Sequence, residues 1–150
     1  MKIFGYYLFE KSFDKDSIVQ AIRDAELGTT GEIRVHISRS FFEKDLLTSA
    51  QNQFEYLKMH ETKDRNGVLF YFNLRRHQFA LFGDIGIHEK VKQDFWNRLA
   101  TDISKTIHNK GLNEALVKSV EEIGKALKTH FPGTPTSHNP NELSNEVSEA

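Results

Sequence analysis

Glu32, Asp64, Asn66 and Asp84 are the side chains whose types and positions could do chemistry together. Glu32 opens an alternating run, Asp64 and Asn66 stand just before the most apolar run of the chain, and Asp84 closes the next one. Carboxylates that meet at one spot repel each other unless they are protonated or bridged by a cation. Hard divalent ions, Ca²⁺ or Mg²⁺, take oxygen ligands of this kind. With no cysteine in the chain and few histidines near these positions, zinc and copper are disfavoured. The expectation is a divalent-cation site, provided the fold brings the four residues to one place.

That depends on the elements between them. Val68-Leu69-Phe70-Tyr71-Phe72 follows an Asn-Gly turn signal and is too short for a helix and too apolar for a half-wet strand. It reads as a strand covered on both faces, hence an α/β sheet with helices above and below. From Glu32 to Ser38, Ile33, Val35 and Ile37 alternate with Glu32, Arg34 and His36, a strand half covered or at an edge. Helical spacing marks Asp14–Glu26, the region Phe41–Lys63, Glu89–Lys110 and a last helix capped by Asn113. Gln78–Phe82 makes a further strand after the polar reversal Arg75-Arg76-His77.

Strand, helix and strand in succession predict a parallel pair, and the short reversal predicts an antiparallel one. Glu32, Asp64, Asn66 and Asp84 then fall at one end of the sheet. His88 and Glu89 follow at the start of a helix whose N–H groups could help hold a phosphate or carboxylate. Each residue also has a plain structural reading: Asp84 as a helix cap, Asn66-Gly67 as a turn pair, Glu32 as a solvated strand entrance.

Composition narrows the classes. At 150 residues, 38% hydrophobic and 27% charged, the chain is long enough for one independently folded domain. A formal net charge of −1 gives no electrostatic reason to expect nucleic acid or an anionic membrane. No run approaches the length of a membrane span, and the first residues lack the features of a signal peptide, so a cytoplasmic location is expected. The predicted organisation is an N-terminal arm (1–13), an α/β domain (14–132) and a disordered tail (133–150) rich in Pro, Ser, Asn, Thr and Glu. P-loop, dinucleotide-binding and nucleophile-elbow motifs are missing. His36 reads as a surface or edge residue, and His77, beside Arg75 and Arg76, as part of a solvated turn.

Three groups of residues resemble the TPM domain family, in order: Ala25-Glu26 with Thr30-Gly31-Glu32-Ile33-Arg34-Val35; Arg65-Asn66-Gly67-Val68-Leu69; and Gly83-Asp84-Ile85-Gly86-Ile87-His88. Phe131-Pro132 and Asn141-Glu142-Leu143-Ser144-Asn145-Glu146 look like the ending of small soluble bacterial members. The resemblance implies a three-layer α/β/α sandwich with a small mixed sheet. It also implies a divalent-cation site, often calcium, carried over onto Glu32, Asp64, Asn66 and Asp84. Two functions follow as expectations. One is a cation-binding accessory or interaction protein, its partner a protein, membrane-associated in some members. The other is a metal-dependent acid phosphatase acting on phosphomonoesters, with Asp84 or Glu32 as base and Arg34 or Arg65 on the phosphate.

Overall fold

A five-stranded mixed sheet in the order β1-β4-β3-β2-β5 carries the structure. The computed structural model describes residues 2–6 (backbone only), 14–43, 45–133 and 147–149. The elements are β1 (Lys2–Tyr6), α1 (Lys15–Glu26), β2 (Glu32–Ser38), α2 (Leu46–Tyr56), β3 (Gly67–Asn73), β4 (Gln78–Gly83), α3 (Ile85–Lys110), α4 (Leu112–His130) and β5 (Val147–Glu149). As expected, β2 and β3 run parallel, with Glu32 opposite Gly67, and β3 and β4 run antiparallel, with Val68 opposite Gly83. β1 adds antiparallel to β4, and β5 adds parallel to β2.

The side-chain period of two gives each strand two faces. Ile33, Val35 and Ile37 of β2, Val68, Phe70 and Phe72 of β3, and Phe79 and Leu81 of β4 face α1, α3 and α4 in the larger core. Leu69, Tyr71, Ala80 and Phe82 face α2 in the smaller one, with Leu46, Ala50, Phe54 and Met59. This is the three-layer α/β/α arrangement, and β3 is buried along its whole length. Trp96 of α3 presses on the end of β4 at Gly83, where a Cβ would collide with its indole.

Local signals account for most boundaries. Asp14 caps α1 by accepting from the Ser17 N–H, and Asp45 caps α2 by accepting from the Leu47 N–H at 3.1 Å. Several expectations change. Among its described residues, the region Phe41–Lys63 is helical only over α2 and a single 3₁₀ turn at Met59–Glu61. α3 starts at Ile85 rather than Glu89, because Asp84 caps it, and it is interrupted at Lys92. Asn113 lies inside α4, whose N-cap is Gly111; its Oδ1 instead accepts the Asp14 N–H at 2.6 Å.

The ends of the chain also differ from an arm and a tail. Lys2–Tyr6 and Val147–Glu149 form the two edge strands, and Val147 is buried in the larger core; residues 7–13 and 134–146 lie outside the described residues. β2 is consequently neither half covered nor an edge. It is buried on both faces, His36 included.

Candidate functional site

At the end of the sheet where β2 and β3 begin and β4 stops, Glu32, Gly67 and Asp84 stand side by side. Glu32 is paired with Gly67, and the Asp84 N–H donates to the Gly67 carbonyl at 2.9 Å. Alternation from Ile33 and Leu81 puts Glu32 and Asp84 on the α2 face, flanking a residue with no side chain. Both are almost wholly buried, at 1% and 4% exposure. On the opposite side of the β2 entrance, Glu26 at the end of α1 accepts the Ile33 N–H at 2.8 Å and ties helix to strand.

Asn66, just before β3, is fully buried. Its N–H donates to Thr62 Oγ1 at 3.3 Å and its Nδ2 to Thr30 Oγ1 at 3.0 Å. Thr30 Oγ1 in turn donates to Asp64 Oδ2 at 2.7 Å. Asn66 Oδ1 is buried and has no hydrogen-bond partner among the described residues. A buried amide oxygen left without a donor costs free energy unless something electropositive meets it.

Asp84 is heavily engaged. Its Oδ2 accepts from Arg65 Nε at 2.6 Å, and its Oδ1 from Arg65 Nη2 and the Ile85 N–H, both at 2.8 Å. This fork holds the Arg65 guanidinium even more firmly protonated than usual. Arg65 also takes a positive φ of 50°. Its carbonyl receives the Gly86 N–H at 2.8 Å and the Ile87 N–H at 3.4 Å. Gly86 is required by this approach, since a Cβ would collide with the carbonyl oxygens of Asp64 and Arg65.

Of the four residues predicted from sequence, the fold therefore brings Glu32, Asn66 and Asp84 to one end of the sheet. Asp64 is there too, but exposed and turned to Thr30. Among the described residues no three Asp, Glu or His side chains form a ready-made metal cluster. As a fit test for a hard cation, the donor set is divided. Glu32 and the Asn66 amide oxygen suit it, and a carboxylate keeps lone pairs beyond those Arg65 uses. The guanidinium itself is a positive charge next to one intended ligand.

The helix start offers no anion cradle, since the N–H groups of Ile85, Gly86, Ile87 and His88 are all spent on Asp84 and Arg65. His88 is turned away from the site: Trp96 Nε1 donates to its Nδ1 at 3.1 Å, and burial lowers its pKa. Arg34, a candidate phosphate ligand, is buried on β2. Sequence reasoning missed Thr30, which joins Asp64 to Asn66, and gave Arg65 only a phosphate-binding role. Their common signal is position, each within two residues of a predicted ligand. A shallow cleft opens beside the fork, among Gln51, Phe54, His60, Arg65, Phe82 and Asp84.

Comparison with known proteins agrees with this architecture. The TPM domain family matches residues 9–126. The NMR structure of BA42 protein from the psychrophilic bacterium Bizionia argentinensis superposes with a TM-score of 0.83 at 36% identity, covering 94% of this chain and 97% of that one. No curated protein sequence matches. Among the described residues no helix is long and apolar enough to cross a membrane.

Proposed function

The chain belongs to the TPM domain family, and from that premise we propose that it is a divalent-cation-binding accessory or interaction protein, calcium being the first candidate ion. The observation that carries this reading is Asn66 Oδ1, an amide oxygen buried without a donor among the described residues, at the same end of the sheet as the buried Glu32 and Asp84. Glu32, Asn66 and Asp84 would hold the ion, with Asp64 reaching in from the rim. For Asp84 to serve, Arg65 must swing outward, and its side chain, half exposed, has room to do so. A cation there would neutralise the carboxylates and lock together the three strand ends and the start of α3. A cytoplasmic setting is part of this reading, and the partner would be a protein.

The phosphatase reading stands second. It asks the same released Arg65, now held by Asp84, to bind a phosphoryl group.

The test is an amide NMR titration of metal-stripped protein with Ca²⁺, then Mg²⁺. Saturable shifts centred on Glu32, Asp64–Gly67 and Asp84–Ile87 are expected. Diffuse or absent shifts would sink the cation reading. Hydrolysis of a simple phosphomonoester that depends on the ion and is lost in Arg65→Ala would move the phosphatase reading to first place.

A further inference from the structure

β5 is three residues long, and each of them has a side-chain anchor. Val147 is buried in the larger core, and Ser148 Oγ meets His36 Nδ1 at 2.8 Å. The Glu149 carboxylate stands 3.7 Å from the Arg39 guanidinium, both side chains half exposed, and such a pair contributes little. The chain is anchored again before β5. The Gly133 N–H donates to the Gly28 carbonyl at 2.8 Å, and Pro132 is bridged to Thr29. β5 can therefore leave β2 without moving α4.

His36 is the part of this clasp that titrates near neutral pH, and it is buried. Each element around it presents a different group. Arg34, also buried, lies two residues earlier on the same face of β2. On β3, the Tyr71 ring centre is 5.1 Å from that of the imidazole, and burial keeps its hydroxyl protonated. In the loop between β2 and α2, Glu43 supplies the opposing charge. Its carboxylate already accepts from Ser38 Oγ at 2.9 Å, from Asn73 Nδ2 at 2.5 Å and from the Tyr71 hydroxyl. On β5, Glu149 is turned to Arg39. α2 meets this face of the sheet with the apolar Leu46, Ala50 and Phe54. A proton on His36 thus places an imidazolium in a buried setting beside Arg34, with Glu43 as partial compensation, and burial costs the charged ring its water.

We propose that β5 is an acid-released strand: a proton on His36 is accommodated when Val147–Glu149 lifts off β2, which lets water reach the ring and frees the Val35–Ile37 edge. Among the described residues that cover His36, β5 is the least firmly tied. Tyr71 belongs to the central strand of the sheet. The Glu43 loop is fastened by Ser38, by Tyr71, by Asn73 through both the Glu43 carboxylate and the Ser40 carbonyl, and by Arg76 through the Glu43 carbonyl. The direction of the effect follows from linkage. With β5 open, His36 has the ordinary value of about 6.5; with β5 closed, burial lowers it, the Glu43 charge opposing more weakly. Opening is constant above about pH 6.5, rises as pH falls below it, and levels off below the closed-state midpoint. The device lies apart from the cation site and does not depend on it.

The experiment is amide hydrogen exchange of the intact protein, followed by NMR from about pH 7.5 to about pH 5 and corrected for the intrinsic exchange rate, beside a ring titration of His36. Amides bonded between β2 and β5 should open at least about fivefold more at the lower pH, while those bonded between β2 and β3 keep their protection. In His36→Gln the β2–β5 amides should hold one level of opening across the range. Ser148→Ala should raise opening at every pH and keep its pH dependence. A β2–β5 ladder that does not respond to pH, or that opens together with the β2–β3 ladder, would overturn the proposal. So would a rise that persists in His36→Gln, which would assign it to Glu149 and Arg39. The wild-type protein supplies a check that needs no variant: a rise lying outside the interval between about pH 6.5 and the measured midpoint of His36 would also overturn it.

Discussion

Arg65 grips Asp84 through both Nε and Nη2, at 2.6 and 2.8 Å, and the same arginine's carbonyl receives the Gly86 N–H at 2.8 Å. One residue thus fastens the entrance of β3 to the start of α3 twice, by side chain and by backbone.

A cation at Asp84 must compete with that guanidinium. Arg65→Ala is expected to raise Ca²⁺ affinity several-fold, and Asp84→Asn, which retains an oxygen for the helix cap, to lower it about tenfold or more. Isothermal titration of the two variants checks this. Opposite signs support competition; equal losses would mean that Arg65 belongs to the site as built.

Gly86→Ala should destabilise the fold by about 1–3 kcal/mol, as overpacking against fixed backbone does. The urea midpoint measures the loss. Amide shifts should concentrate at Asp64–Gly67 rather than along α3, because the obstacle is the β3 entrance.

Leu69→Ala empties a fully buried position on the α2 face of β3. A loss of about 2–5 kcal/mol is expected from transfer and cavity together. A near-neutral result would contradict the covered second face of the sheet.

His36 gives a pH dependence with a defined sign. Burial lowers its pKa, the Glu43 charge opposing more weakly, and Nδ1 lies 2.8 Å from Ser148 Oγ. Its folded value falls below the ordinary value of about 6.5, so the unfolded chain takes up a proton that the folded chain resists. Stability is full above about pH 6.5 and is lost as pH falls from there to the folded value, where the loss levels off. Ring NMR should place the His36 midpoint below the ordinary value. His36→Gln should flatten the acid side of the stability profile.

How much of this was legible follows from the range of each interaction. Glu32–Ser38 could be bounded from alternation alone, since a period of two is local. The same reading put Glu32, Asn66 and Asp84 at one end of the sheet from connectivity, and the pairings agree. Burial of His36 was not legible, because its cover comes from Ser148, 112 residues away. The start of α3 was hidden by Gly86, a poor helix former that the close approach of the Arg65 carbonyl requires. The Arg65–Asp84 fork was hidden too, since spacing says where a side chain starts and nothing of which way it turns.

Both margins of the sheet are supplied by segments near the ends of the chain, β1 beside β4 and β5 beside β2. This sets an order of assembly during synthesis. Lys2–Tyr6 is made well before its partner, residues 78–83, and β2 stays bare on one side until Val147–Glu149 arrives. A bare strand edge is a template for pairing with another chain. The nascent chain therefore carries an adhesive margin from the synthesis of β2 until Val147–Glu149 closes it.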